Sequence, residues 1–192
     1  MSAATHQIRG LELDDDQYEI EQALVRNKYV ARNSTGDVVL RGSQKRLKLK
    51  EQFPFEDSDG TDVFEVKADS IADVAGEYAL IDSQTGERVV VLDNQWSWMG
   101  DQWKIRDPTT EALIAVIETQ NRAVEFLRHL HSVFGFVPHA YEISDPRGNH
   151  VGTIEGQLGL KDRYDVEIED ASEVPREPVI AAAMVIDAIE GN

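Results

Sequence analysis

The residues best suited to bind a ligand form one dense basic stretch, RGSQKRLKLK, at positions 41–50. It supplies five of the chain's nineteen Lys and Arg residues: Arg41, Lys45, Arg46, Lys48 and Lys50. Alternation along a single strand predicts Arg46, Lys48 and Lys50 on one face. There they could hold phosphate headgroups, at about 1 kcal/mol per base at low salt. The competing interpretation is a solvated strand face whose charges discourage edge pairing.

Other residue clusters carry less chemistry. Trp96, Trp98 and Trp103 could line a ligand pocket or meet a membrane interface, but core or rim packing is the commoner role for such residues. His129 and His131 would point about 200° apart on a helix, so they cannot share a metal ion. The loop FEDSDGTD (55–62) faintly resembles a calcium loop. Counted from Asp57, however, position 6 is Asp62 where such a loop has Gly, and position 12 is Ala68 where it has Glu, so the loop indicates a polar hairpin.

We find no spacing that indicates a catalytic set, and the chain has no cysteine. These observations predict a protein that is not an enzyme and that needs no metal or cofactor. The stretch MSAATHQIRG lacks the apolar core of a signal peptide, and no apolar run is long enough to span a bilayer. We therefore expect a cytoplasmic protein with no transmembrane segment, peripheral to a membrane if residues 41–50 bind lipid.

The charge balance is strongly acidic, with 36 Asp and Glu residues and a formal net charge of −17. This balance disfavours nucleic acid as a partner. An acidic partner-binding protein is one explanation, while partial disorder conflicts with the regular apolar patterning. We favour the cytoplasmic protein of a halophile, since molar salt screens the self-repulsion of its carboxylates.

The elements that would carry these residues are strands joined by tight turns. Asp or Asn opens each turn, and Gly or Pro supplies the required backbone angles. The turns are NSTGD (33–37), DSQTGE (82–87), DPTTE (107–111) and DPRGN (145–149). An aromatic residue leads the strand before most of these turns, and the count approaches a dozen strands. Such spacing predicts an all-β barrel or sandwich.

Period-two alternation gives further expectations for the core. In LKLKEQFPF (47–55) it predicts that Leu47, Leu49, Phe53 and Phe55 are buried. The same alternation places the charged Glu51 on the face of these apolar residues. Residues 121–134 have apolar side chains at helical spacing, which predicts a short amphipathic helix on the barrel surface.

The C-terminal stretch PVIAAAMVIDAI (178–189) is apolar on every side and contains one charge, Asp187. A helix of this kind lies either in a membrane or wholly inside a protein. At about 18 Å it is too short to cross roughly 30 Å of hydrocarbon. We therefore predict a buried helix over about 178–190, enclosed by a closed antiparallel barrel of about 12 strands.

The chain resembles the LURP-one-related family, and through it the tubby C-terminal domain and the phospholipid scramblases. The resemblance is carried by four segments: residues 18–40, the Leu-x-Leu copies at 47–55 and 158–166, residues 141–170, and VIAAAMVIDAI (179–189). It implies one domain over 17–192, with residues 1–16 as a flexible leader. It also implies a prokaryotic member, and the charge points to a haloarchaeal one.

Tubby domains bind phosphoinositides through basic residues, scramblases are linked to lipid movement, and LURP-one-related proteins have no settled activity. From this resemblance and the basic stretch we predict a non-enzymatic binding or adaptor module for anionic lipid headgroups or another phosphorylated ligand. A scramblase-like lipid-handling protein and a domain for protein partners, using the 121–134 helix as its contact face, are the alternatives.

Overall fold

A computed structural model describes residues 6–23, 28–43, 45–47, 50–68, 77–97, 100–120, 140–157, 163–172 and 174–190. Within these ranges it contains thirteen strands and one long helix. The strands are β1 (Gln17–Ala23), β2 (Lys28–Asn33), β3 (Val38–Ser43), β4 (Lys45–Leu47), β5 (Lys50–Glu56), β6 (Asp62–Ala68), β7 (Glu77–Asp82), β8 (Arg88–Ser97), β9 (Gly100–Arg106), β10 (Leu113–Thr119), β11 (Ala140–Ser144), β12 (His150–Gln157) and β13 (Arg163–Ile168). The helix, α1, runs over Arg176–Glu190.

The strands form one closed antiparallel barrel. Strands adjacent in sequence pair with each other, except β3 with β4, and β13 pairs with β1. The ring closes where β3 meets β5 through Arg41↔Glu56 and Gly42↔Phe55. Strand β4 continues the β3–β5 ladder and pairs with β5 alone, so twelve strands make up the wall. The predicted barrel of about twelve strands is confirmed.

Helix α1 fills the barrel. Residues Val179 to Ile186 are all buried, and Ala181, Ala182 and Val185 have no exposed surface. The predicted buried helix is therefore confirmed, and it begins two residues earlier than expected, at Arg176. Pro178 is compatible with this start, because a first helical turn needs no hydrogen bond from its nitrogen. The side chain of Asp187 lies outside the described part of the chain.

The strands alternate in direction, which gives the barrel two distinct ends. Five tight turns, at 33–37, 57–61, 82–87, 107–111 and 145–149, lie at one end, which we call the turn end. Helix α1 enters the barrel there, after β13. The strands that flank residues 24–27, 48–49, 69–76, 98–99, 121–139 and 158–162 meet at the other end, which we call the loop end.

The turns form as their Asp and Asn residues predict. In each, one side-chain oxygen of the first residue accepts backbone N–H groups from inside the turn, as Asp145 Oδ1 does from Arg147 and Asn149, both at 2.8 Å. Asp57 does the same for Asp59 and Thr61 at 2.9 Å, so the polar loop at 55–62 is a hairpin turn. Phe53 and Phe55 are buried as expected.

Residues 6–16, part of the predicted leader, cross the turn end, and we call them the N-terminal strap. Ile8, Leu11 and Leu13 belong to the hydrophobic core, each at most 5% exposed. The predicted amphipathic helix at 121–134 lies outside the described residues. No helix in the described ranges has the length and apolar character needed to cross a membrane.

Candidate functional site

The basic stretch forms a two-stranded ribbon at the loop end. Strand β4 ends at Leu47 and β5 begins at Lys50, with the register Leu47↔Lys50, Arg46↔Glu51 and Lys45↔Gln52. The last β2–β3 pair is Lys28↔Ser43 and the last β5–β6 pair is Gln52↔Lys67. The ladder of residues 45–52 therefore lies at the loop end of the barrel. We call these residues the basic hairpin.

This register corrects one expectation about the basic stretch. Alternation along a single strand predicted that Arg46, Lys48 and Lys50 lie on one face. The chain instead reverses direction between Leu47 and Lys50, and directly paired positions of an antiparallel ladder lie on the same face. Lys50 therefore shares a face with Leu47, and Arg46 is paired with Glu51. This change of strand also explains the position of Glu51. Only when residues 47–55 are counted as one strand does Glu51 share a face with the apolar residues.

Arg41 does not join the other four basic residues. Its Nη1 donates to the carbonyl oxygens of Asp57 and Ser58, at 3.1 and 2.8 Å, in the turn between β5 and β6. The guanidinium thus fixes a turn at the turn end, and Lys45, Arg46, Lys48 and Lys50 remain as the positive charges of the basic hairpin.

Behind the basic hairpin, the inner wall of the loop end is aromatic. Each of the six strands that run from the loop end to the turn end carries an aromatic residue at its second or fourth position. All six are buried in the core or packed against it. We call this set the aromatic collar: Tyr29, Phe53, Tyr78, Trp103, Tyr141 and Tyr164.

The collar marks a change in the barrel lining. Two residues further along the same strands, towards the turn end, every inner position is purely apolar: Ala31, Phe55, Leu80, Ile105, Ile143 and Val166. Tyr and Trp differ from these residues because they combine an apolar ring with a polar tip. The packing role predicted for Trp103 is confirmed, since it is 1% exposed and lies 6.1 Å from the Tyr78 ring. The side chains of Trp96 and Trp98 lie outside the description.

The turn end is closed by hydrogen bonds to carboxylates. His6 Nε2 lies 2.9 Å from Asp107 Oδ2, and the Arg9 N–H donates to Asp82 Oδ2 at 2.9 Å. The other oxygen of each aspartate accepts N–H groups of its own turn. The Thr110 N–H, then His6, hold the pKa of Asp107 well below its usual range. The hydrogen bonds to Asp82 and Asp107 therefore stabilise the fold.

The outer wall formed by β12, β13, β1 and β2 is acidic. A groove of about 520 Å³ there contains Glu19, Glu155, Asp165 and Glu167, with Arg32 as its one cation among the described residues. His150, on the same side, lies 3.1 Å from Glu142 and 3.3 Å from Glu169. This wall repels an anionic surface, whereas the loop end carries the basic hairpin.

Within the described ranges, no three His, Asp or Glu side chains form a group that could hold a metal ion. The loop end combines the basic hairpin with an aromatic lining that has polar tips. This combination suits recognition of an amphipathic anion.

Comparison with known proteins gives a solved structure and a family. An X-ray structure of a protein from Arabidopsis thaliana shares 8% identity, with 91% of each chain covered and a TM-score of 0.43. No curated protein matches the chain. The family model described as LURP-one-related matches residues 38–187, from β3 into the central helix. Because this match spans more than half of the sequence, the chain belongs to the LURP-one-related family.

Proposed function

We propose that this protein is a non-enzymatic binding module that recognises anionic phospholipid headgroups with the loop end of its barrel. Lys45, Arg46, Lys48 and Lys50 supply the attraction, and the module attaches to the cytoplasmic face of a membrane as a peripheral protein. It resembles tubby-like and scramblase-like domains in using a barrel with a central helix, and the acidic surface is that of a halophile's protein.

One observation carries the proposal. The basic hairpin is the chain's only dense basic stretch, and it lies at the loop end, whereas the acidic groove lies along the outer wall. The loop end can therefore meet an anionic surface without bringing the acidic wall against it. Each base near an anionic membrane contributes about 1 kcal/mol at low salt, so four bases give roughly 4 kcal/mol.

The test is co-sedimentation with vesicles, in which neutral vesicles are compared with vesicles rich in phosphatidylglycerol across a salt series. We expect binding to the anionic vesicles alone, which weakens as salt rises because the Debye length shortens. The variant Arg46→Glu/Lys48→Glu/Lys50→Glu should lose this binding.

A matched control reverses three charges elsewhere. The variant Arg9→Glu/Arg32→Glu/Arg88→Glu changes the net charge by the same amount at residues of the turn end. It should bind anionic vesicles nearly as well as the wild type. Equal losses in the two variants would mean that total charge, and not the basic hairpin, governs binding. No binding by folded wild-type protein at any salt would reject the proposal.

A lipid-moving activity is a separate outcome. Vesicles with a labelled lipid in one leaflet report transfer between leaflets, and a binding module should leave the rate at its uncatalysed value. A rate increase that requires the protein would favour a scramblase-like function over simple recognition.

A further inference from the structure

A small cavity lies at the turn end, between the N-terminal strap and the β7–β8 and β9–β10 turns. Its volume is about 250 Å³, and every residue that lines it belongs to the described part of the chain. Drug-sized ligands usually occupy cavities of about 300–1,000 Å³, so this one suits a smaller molecule. The cavity is open to solvent, because Arg9, Glu87 and Thr109 in its lining are exposed.

The two aspartates in the lining already have hydrogen-bond partners on both oxygens. Asp82 accepts three backbone N–H groups, at 2.8 to 2.9 Å. Asp107 accepts two backbone N–H groups and the Thr110 hydroxyl, and its Oδ2 lies 2.9 Å from His6 Nε2. These donors offset the charge of each carboxylate and leave it little capacity to bind or repel a ligand.

The other polar groups of the cavity include two cations. The backbone of Arg9 is fixed by its hydrogen bond to Asp82, but the Arg9 guanidinium forms no hydrogen bond or ion pair with a described residue. Arg88, the first residue of β8, brings a second guanidinium to the same lining. Guanidinium groups bind phosphate and carboxylate oxygens with charge-assisted hydrogen bonds, so the cavity suits a small anion.

Two further groups narrow the choice of anion. The Thr109 hydroxyl and the Glu87 carboxylate also line the cavity, and neither side chain bonds any residue that the structure describes. A carboxylate accepts hydrogen bonds and repels an anion that has none to donate. The matching ligand therefore has anionic oxygens and a hydroxyl, as hydrogen phosphate and hydroxylated phosphate monoesters do.

We propose that this cavity binds a small phosphate, with Arg9 and Arg88 on its oxygens and Glu87 accepting a hydrogen bond from its hydroxyl. Because Arg9 lies on the strap and Arg88 on β8, the bound phosphate ties the strap to the barrel wall. The inference goes beyond the proposed function, since this cavity lies at the turn end and the basic hairpin at the loop end. A soluble phosphate monoester and phosphatidic acid in a membrane share the same chemistry.

Calorimetric titration with inorganic phosphate at constant ionic strength tests the site. The wild type should bind saturably, and Arg9→Gln should weaken binding roughly tenfold or more, as expected for a lost charge-assisted hydrogen bond. Arg9→Lys restores the charge and should recover part of the affinity. Arg32→Gln removes a turn-end base outside the cavity and should bind like the wild type. No saturable binding by the folded wild type would overturn the inference.

Sulfate is the matched anion for this titration. It has the size of phosphate but carries no hydroxyl at neutral pH, so it cannot donate to Glu87. Sulfate should bind at least about threefold more weakly than phosphate, the equivalent of one neutral hydrogen bond. Glu87→Gln should reduce that difference. Equal affinities in the wild type would overturn the assignment of a phosphate with a hydroxyl.

Trypsin digestion reports on the strap itself. Phosphate should slow cleavage after Arg9, which releases a fragment that begins at Gly10, in proportion to the fraction of protein bound. Cleavage after Arg147, in the β11–β12 turn and outside the cavity, is the internal control and should keep its rate. Equal protection at the two sites would indicate general stabilisation by the salt and would count against the site.

Two last titrations separate the sources of the phosphate. Glycerol phosphate supplies a hydroxylated monoester in solution, and vesicles of phosphatidic acid supply a monoester on a membrane. Vesicle binding that weakens in Arg9→Gln would assign the membrane source, whereas glycerol phosphate binding that alone depends on Arg9 would assign the soluble one. Failure of phosphatidylglycerol vesicles to bind would reject the proposed function and leave this site intact.

Discussion

Glu111 occupies in the β9–β10 turn the position that Gly86 occupies in the β7–β8 turn. Each backbone N–H donates to the carbonyl of the aspartate that opens its turn, Glu111 to Asp107 at 3.0 Å and Gly86 to Asp82 at 2.8 Å. Both residues have a positive φ, 58° for Glu111 and 71° for Gly86. The two turns therefore share one backbone form, and only one of them has glycine where that form favours it.

Replacing Glu111 with Gly should stabilise the protein. A side chain in the left-handed region costs about 1–2 kcal/mol, and the extra freedom of glycine in the unfolded chain offsets about 0.4–1 kcal/mol. We expect a net gain of up to about 1 kcal/mol, or a rise in melting temperature of about 2–4 °C. The hydrogen bond from Arg106 to the Glu111 carbonyl does not depend on the side chain.

The reverse exchange is the control for this prediction. A Cβ at Gly86 would meet no atom within 4 Å, so Gly86→Ala changes only the backbone preference. It should lower the melting temperature by a similar amount. Opposite signs in the two variants would establish the shared turn, while a loss of stability in Glu111→Gly would contradict it.

Gly152 is required for a different reason, the close approach of β12 and β13. A Cβ at this position would lie 2.2 Å from the carbonyl oxygen of Glu167, a backbone atom that cannot rotate away. Overpacking typically costs 1–3 kcal/mol, and we expect Gly152→Ala to cost about 3 kcal/mol. Urea unfolding measures it, and Thr153→Ala, the neighbouring position, should cost less than about 1 kcal/mol.

The packing of α1 makes its small residues sensitive to size. Ala182 has no exposed surface, so the larger side chain of Ala182→Phe must displace the barrel wall. We expect a loss of more than about 1 kcal/mol, measured as a lower melting temperature. Ala23→Phe, at an exposed position at the end of β1, is the matched control. An unchanged melting temperature for Ala182→Phe would be incompatible with a tightly enclosed helix.

The turns and the central helix could be predicted because their signals are local. Asp82, Asp107 and Asp145 each open a turn and accept hydrogen bonds from its backbone N–H groups. The run around Ala182 is apolar on every side. The basic hairpin could not be divided into its two strands from the sequence, because LKLK alternates without interruption from Leu47 to Lys50. Only the pairing of Leu47 with Lys50 reveals the change of strand.

Two other features depend on distant parts of the chain. The burial of the strap is not visible in its own sequence, because the spacing of Ile8, Leu11 and Leu13 matches neither a strand nor a helix. Aromatic residues at the start of strands are visible in KYVAR, EYALI and AYEIS. Their arrangement as a collar depends on how the strands pair around the barrel. No single segment of the sequence shows that pairing.

The strap should contribute measurably to stability. Leu13 is 5% exposed, and its backbone N–H acts to lower the pKa of Glu177 in the first turn of α1. Leu13→Ala should cost about 2–4 kcal/mol, since truncation of a buried Leu typically costs 2–5 kcal/mol. The neighbouring Glu12 is exposed, and Glu12→Ala should have little effect. A chain that begins at Gln17 and melts like the full chain would refute this role.

Acid should destabilise the turn end. Burial acts to raise the pKa of Asp145, but hydrogen bonds from the Asn149 side chain and from the Asn149 and Arg147 N–H groups prevail and lower it to about 2. The Ser34 hydroxyl and N–H likewise lower the pKa of Asp15 to about 2. A carboxylate with a depressed folded-state pKa stabilises the fold above its ordinary pKa of 3.8, and this stabilisation is lost as pH falls towards 2.

The pH dependence has the opposite sign for Glu177. Burial raises the pKa of this carboxyl, so its protonation favours the folded state. Asp15, Asp82, Asp107 and Asp145 are all shifted downwards, and four groups outweigh one. We therefore expect the urea midpoint to fall between pH 4 and pH 2, at constant high salt. Asp145→Asn removes one of the titrating groups, so its midpoint should start lower at pH 7 and fall less steeply. Equal slopes in the two proteins would show that Asp145 is not among the groups that take up protons on unfolding.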